Sequence, residues 1–202
     1  VSTAMPRIVG ELKGAEYYAW VTTSYLLAST VSAPVFGRLT ELFSRKAVLV
    51  AAVLLFLLGS ALSGLSQNMV ELVLFRGVQG LGGGALFALA LTTLAVLFPP
   101  RERGRLAGVF GAMFGLSSAV GPWLGGLPPA HFSWRWVFYV NLLPGLACAA
   151  VLALAYHERV ERHEHRLDYG GAFLLSAGVV LLLLGARSRQ AALLAVPAAA
   201  AA

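Results

Sequence analysis

The chain has 202 residues, 58% of them hydrophobic and 12% charged. A soluble domain carries about 25% charged residues, and half that share leaves too few charges to coat a water-facing surface, which excludes an ordinary soluble enzyme and points to a membrane protein. The net charge of +6 fits basic loops beside a bilayer better than a nucleic-acid-binding surface.

The expected fold is all-α, a polytopic membrane helix bundle. A transmembrane helix needs about 20 apolar residues. Residues 1–8 read as the end of a first span whose start lies upstream. Residues 19–36 form the second span. The following "GRLTELFSRKAVL" places Gly37, Arg38, Leu39, Glu41, Arg45 and Lys46 in a tight turn. There Gly37 lets two helices meet closely, Glu41 pairs with a basic group, and Arg45 and Lys46 meet the anionic membrane face.

Residues 47–65 form the third span and 72–97 the fourth, interrupted only by Arg76 and Gln79. These two are three residues apart and share a helix face. Even on the lenient insertion scale, a buried Arg costs about 2.5–3.5 kcal/mol. Two readings stand: Arg76 has a partner or an aqueous cavity, or it lies near the outer end of its span and snorkels to the interface. The same stretch contains Gly80-Leu-Gly82-Gly-Gly-Ala85, the glycine spacing of a dinucleotide turn, with Glu102 downstream. A dinucleotide turn follows a β-strand and opens a helix in water. Here the glycines sit inside an apolar run, and Pro99-Pro100 precedes the acid without a second strand. Close helix packing is the better use of these small residues.

Residues 106–127 form the fifth span. Gly108, Gly111, Gly115, Ser117, Gly121, Gly125 and Gly126 give it a small-residue face, and Pro122 removes a backbone hydrogen bond and bends it. The sixth span, 137–156, holds the lone Cys148, read as a small packing residue. The segment from Tyr156 to Asp168 contains His157, His163 and His165. Its alternating Arg and Glu make it a solvated linker rather than a metal site. Residues 170–186 form a short further span, and 187–202 are a low-complexity tail or the start of another. The chain is expected to be cut, or naturally incomplete, at both ends. No cofactor and no soluble catalytic constellation is indicated.

Charge sets the orientation. Arg38, Arg45, Lys46, Arg101, Arg103, Arg105, Arg159, Arg162 and Arg166 fall on one side, nine cations in all. Arg7, Lys13, Arg135, Arg187 and Arg189 make five on the other. The richer side is expected to be cytoplasmic.

Taken together, these motifs resemble the drug–proton antiporters of the major facilitator superfamily. Residues 1–8 are similar to the tail of that family's first-span motif, whose acidic residue would lie just upstream of Val1. "GRLTELFSRK" resembles the loop motif after span two, with Glu41 for the usual Asp and Ser44 for the usual Gly. Leu72, Arg76, Gln79, Gly80 and Gly82 match the fourth-span motif. Gly108, Ser117, Gly121, Pro122, Gly125 and Gly126 match the antiporter motif of span five, with Ser117 for one Gly. "SWRWVFYVNLLPG", carrying Trp134, Arg135, Trp136 and Asn141, resembles the start of span six in the fourteen-span efflux branch. "LDYGGAFLL" resembles that branch's extra seventh span.

The resemblance implies the N-terminal half of a facilitator fold, built from inverted three-helix repeats, plus one extra span. It divides the chain into a six-span half (1–156), a cytoplasmic linker (157–169), the additional span (170–186) and the tail (187–202). It further implies a multi-pass protein of the cytoplasmic membrane that exports amphipathic or cationic compounds in exchange for protons. Its partners are those small molecules, protons, the bilayer and a missing C-terminal half or second chain, with no nucleic acid. Arg76 with Gln79 would serve proton coupling, Gly121 and Pro122 would bend span five and limit leak, and Glu41 with Arg45 would latch the cytoplasmic gate. A facilitator for another solute, and a non-transporting half-unit that assembles with a second chain, are the alternatives.

Overall fold

A computed structural model describes residues 4–126 and 133–156, with the isolated positions 178, 181 and 185; of 96, 97 and 122–126 it describes the backbone alone. The expectations for the linker, the seventh span and the tail lie outside the described residues.

The described chain is helical. It runs α1 (Met5–Leu12), a 3-10 turn (Ala15–Tyr17), α2 (Tyr18–Leu42), α3 (Arg45–Leu65), α4 (Met69–Leu97), α5 (Pro100–Gly126), α6 (Trp136–Tyr139) and α7 (Leu142–Ala155). Among the described residues, three segments can cross a membrane by length and composition: Arg45–Leu65, Met69–Ala95 and Trp136–Ala155. α2 is long enough but carries many hydroxyls. Those of Thr23, Ser29, Thr30 and Ser32 donate to carbonyls three or four residues back. Their hydrogen-bonding capacity is thus largely met within the helix.

Local chemistry sets the boundaries. The Ser44 side chain accepts from the Ala47 amide at 3.2 Å and starts α3. The Asn68 side chain accepts from the Glu71 amide at 2.9 Å, while the Glu71 carboxylate accepts from the Gln67 amide at 2.8 Å. This reciprocal cap starts α4 within a turn of α3's end. Pro100 opens α5, where its missing N–H would have been unpaired anyway. Between α1 and α2 the backbone turns through Gly14 at φ +118°, a conformation that disfavours any side chain.

Three differences from the sequence reading follow. α2 continues through Leu42, so Gly37, Arg38, Leu39 and Glu41 lie on a helix, and only Phe43 and Ser44 separate it from α3. Polar residues do not end a helix; the extended backbone at Phe43 does. The expected sixth span is two helices with a break at Val140 and Asn141. Pro144 accounts for it, because a proline has no amide to bond Val140 and its ring crowds that carbonyl. Finally, Cys148 is exposed rather than packed, since α7 meets α3 through Ala149, Leu142 and Leu152.

α4 lies between α2 and α3, and its glycines make that possible. A Cβ on Gly80 would overlap the Tyr25 carbonyl oxygen, one on Gly82 the Phe56 amide, and one on Gly84 the Ser29 carbonyl oxygen. From the other side, a Cβ on Gly59 of α3 would overlap the Gln79 amide. The glycine run is therefore a helix-packing surface within a continuous helix, as the sequence reading preferred. Gly84→Val should destabilise the bundle by about 1–3 kcal/mol or more. Gly77→Ala, which meets nothing within 4 Å, should leave stability unchanged or raise it by up to about 1 kcal/mol. Thermal unfolding in detergent checks the contrast, and equal effects would contradict it.

Large apolar side chains cover much of the outside, among them Leu143, Leu154, Phe114 and Leu74. An apolar exterior of this extent suits lipid rather than water. α5 stands apart from this packing. Its residues 101–121 are exposed apart from half-buried Leu106.

Candidate functional site: a buried arginine network

Arg76 lies about two turns into α4 and is 9% exposed, with Gln79 at 2%. That burial decides against the snorkelling reading, which needs the guanidinium in water. The Arg76 Nη1 donates to Gln79 Oε1 at 2.6 Å, as their shared helix face allows. The guanidinium carbon sits 4.2 Å from the centre of the Tyr25 ring, a cation–π contact strengthened by desolvation. Arg76 Nε is buried without a partner. Among the described residues no carboxylate pairs with this charge.

The network extends into α3, α6 and the α6–α7 break. Gln79 Nε2 donates to Ser60 Oγ at 3.0 Å. Asn141 Nδ2 donates to the same oxygen at 3.2 Å, and Ser60 in turn donates to the Phe138 carbonyl at 2.9 Å. Four elements thus converge on Arg76. Sequence reasoning identified Arg76, Gln79 and Asn141 but not Tyr25 or Ser60. For Ser60 the available signal was the small-residue run Gly59-Ser60-Ala-Leu-Ser63-Gly64 in an otherwise bulky helix.

The other residues at the start of span six serve a separate cluster at one end of the bundle. Trp134 Nε1 donates to Glu11 Oε2 at 2.8 Å. Arg135 lies 3.7 Å from the same carboxylate, donates to the Ser66 carbonyl at 3.1 Å and stacks over Trp134. This clasp joins the end of α1, the α3–α4 connection and the start of α6. Beneath it, Ala4, Met5, Ile8, Val21, Met69, Leu72, Trp134 and Phe138 form one buried cluster. Trp136 is exposed and packs edge-on against Tyr139.

At the opposite end, Arg38 Nη1 and Glu41 Oε2 form an exposed ion pair at 2.6 Å. Glu41 thus pairs with a basic group, and that group is Arg38. Arg38 is a turn away on the same helix, whereas Arg45 lies beyond the break at Phe43. Among the described residues, Gly37 has no neighbour within 4 Å of a Cβ position. Arg45 and Lys46 open α3, both half-buried.

The small-residue face of α5 has no occupant among the described residues. A Cβ at Gly108, Gly111, Gly115 or Gly121 would meet nothing within 4 Å, and Ser117 is exposed. Pro122, Gly125 and Gly126 fall in the last part of the same helix.

The sequence comparisons identify the family to which this all-α bundle belongs. The chain belongs to the Major Facilitator Superfamily, whose profile it matches over residues 1–202. Among its relatives, it is 42% identical to Multidrug resistance protein 3 of Bacillus subtilis over 183 residues, 91% of this chain and 36% of that protein. It is also 42% identical to Multidrug transporter protein MdtP of the same organism, covering 91% of this chain and 34% of the relative. An uncharacterized MFS-type transporter of Mycobacterium tuberculosis is 39% identical over 184 residues, 27% of its length. The chain thus spans about a third of the length of the curated relatives it matches.

Proposed function

We propose that this chain forms the N-terminal part of a proton-coupled antiporter that exports amphipathic or cationic drugs across the cytoplasmic membrane. The observation that carries the reading is the buried Arg76, held by Gln79 and Tyr25 with no carboxylate beside it among the described residues. A desolvated, uncompensated charge is costly to keep in a membrane helix, and such residues mark ion pathways. The names of the Bacillus subtilis relatives supply the substrate class.

In this reading the unpaired charge is the partner of a protonatable acid. The resemblance puts that acid just upstream of Val1. α1 ends, and α4 begins, at the clasp around Glu11 and Ser66. Proton binding to the acid would release the arginine's field, and substrate binding would restore the need for a negative partner. Residues 1–156 act as one six-span half, 157–169 as the linker and 170–186 as an additional span of the fourteen-span branch. A C-terminal half or second chain closes the path. The face of α5 that is unpartnered among the described residues is available to meet it.

The orientation puts the Arg38–Lys46 and Arg101–Arg105 segments in the cytoplasm. Gln67 and Glu102 are both exposed. With Cys148 replaced by Ser, cysteines at these two positions should label from opposite faces of intact cells. Labelling from the same face would overturn the orientation.

Function is tested by expressing the protein from its complete reading frame in an efflux-deficient host loaded with a fluorescent organic cation. Faster efflux that collapses on adding a protonophore is expected. Uptake instead of efflux would assign another solute class, and no movement in either direction would reject transport.

A further inference from the structure

Ser60 has no part in the function proposed above, yet every one of its hydrogen-bonding positions is used. Its hydroxyl is fully buried in α3. One hydroxyl offers one proton and two lone pairs. The proton goes to the Phe138 carbonyl, and the lone pairs receive Gln79 Nε2 and Asn141 Nδ2. The directions are forced. A carbonyl oxygen only accepts, so Ser60 must donate to Phe138 and can only accept from Gln79. Gln79 must therefore turn its NH₂ toward Ser60, which leaves its Oε1 facing Arg76 at 2.6 Å. Without the hydroxyl the amide loses its reason to stay in that orientation. The flipped amide would present NH₂ to a guanidinium that only donates.

We infer that Ser60 is a positioning residue for the coupling arginine, acting through the amide of Gln79, with Asn141 and the Phe138 carbonyl fixing the hydroxyl. This rests on the reading of Arg76 as the coupling residue. Pro144 contributes indirectly. The break it causes between α6 and α7 sets Asn141 and the Phe138 carbonyl side by side against α3. The polarity of the whole chain of hydrogen bonds is thus read out from a helix break to a charge two helices away.

The test uses the protein expressed from its complete reading frame and reconstituted in proteoliposomes, with a fluorescent organic cation as substrate. Ser60→Ala removes the hydroxyl and almost no volume. Maximal cation–proton exchange should fall about tenfold, the effect of one mispositioned buried hydrogen bond, with the KM for the cation unchanged. Asn141→Ala, which removes one of the two donors to the hydroxyl, should give a smaller fall of the same kind. It also serves as the test if Ser60→Ala does not accumulate in the membrane. Arg76→Gln is measured alongside. If Arg76→Gln loses exchange while Ser60→Ala and Asn141→Ala match the parent, the positioning role is overturned and the coupling reading stands. If Arg76→Gln keeps full exchange, the coupling reading fails and the inference fails with it. An equal loss of binding and turnover in Ser60→Ala, the mark of a general packing defect, would also overturn it.

Discussion

Arg76→Gln is expected to abolish cation–proton exchange while leaving the protein as stable as before, or more so. The neutral side chain removes a buried charge that costs about 2.5–3.5 kcal/mol even on the lenient scale. Its amide can still donate to Gln79 Oε1, so the rest of the network keeps its partners. Exchange should fall by about a hundredfold or more, the size of effect expected when a buried charge loses its counterpart. Arg76→Lys keeps the charge but loses the planar fork that reaches Gln79 and the flat face that lies on Tyr25. It should retain part of the exchange. Initial rates in proteoliposomes, read beside thermal unfolding in detergent, separate function from folding. Full activity in Arg76→Gln would remove the arginine from the mechanism.

The second large effect is expected on α5, whose small-residue face meets no neighbour among the described residues. Gly121→Leu adds a bulky side chain where nothing lies within 4 Å. Insertion and thermal stability should therefore be unchanged. Exchange should nevertheless fall at least about tenfold, because the α5 face is where another helix must come close during transport. Pro122→Ala restores an amide and relieves the proline penalty of about 3 kcal/mol in a helix interior. It should stiffen α5 and raise proton leak without substrate. Wild-type exchange and leak in both variants would reduce the motif to an ordinary lipid-facing helix.

Much of the fold was legible because membrane helices announce themselves by length and apolarity. Five expected spans coincide with the helices α2, α3, α4, α5 and the α6–α7 pair, and of these α3, α4 and the α6–α7 pair are long and apolar enough to cross a membrane. Their ends were less legible. α2 runs on through Arg38 and Glu41 because a helix is stopped by backbone geometry and caps, not by the appearance of charge. The break at Val140 was signalled by Pro144, but an apolar run with one proline near its start still reads as one span.

The candidate site was half legible. Arg76 and Gln79 stood out as costly residues in a hydrophobic run, and their contact follows from helical spacing. Tyr25 and Ser60 did not: Tyr25 is one of several polar side chains in α2, and the small-residue run around Ser60 marks close packing but not which side chains meet there. Their roles come from tertiary contacts with residues 51 and 19 positions along the chain. The same limit applies to Trp134 and Arg135. Their motif was visible, but the Glu11 carboxylate 123 residues away from Trp134 was not. For the α5 glycines the sequence showed a face made for close approach, and among the described residues nothing occupies it at Gly108, Gly111, Gly115 and Gly121.

The most direct test of proton-coupled export is proton movement itself. Inverted membrane vesicles containing the protein, expressed from its complete reading frame, are energised so that their lumen is acid, and a fluorescent pH probe follows it. Adding an organic cation on the outside, which is the cytoplasmic face, should drive cation into the lumen and protons out, seen as an immediate alkalinisation of the lumen. The response should be absent in Arg76→Gln vesicles. Cation entry into the lumen with no accompanying proton release would contradict the account.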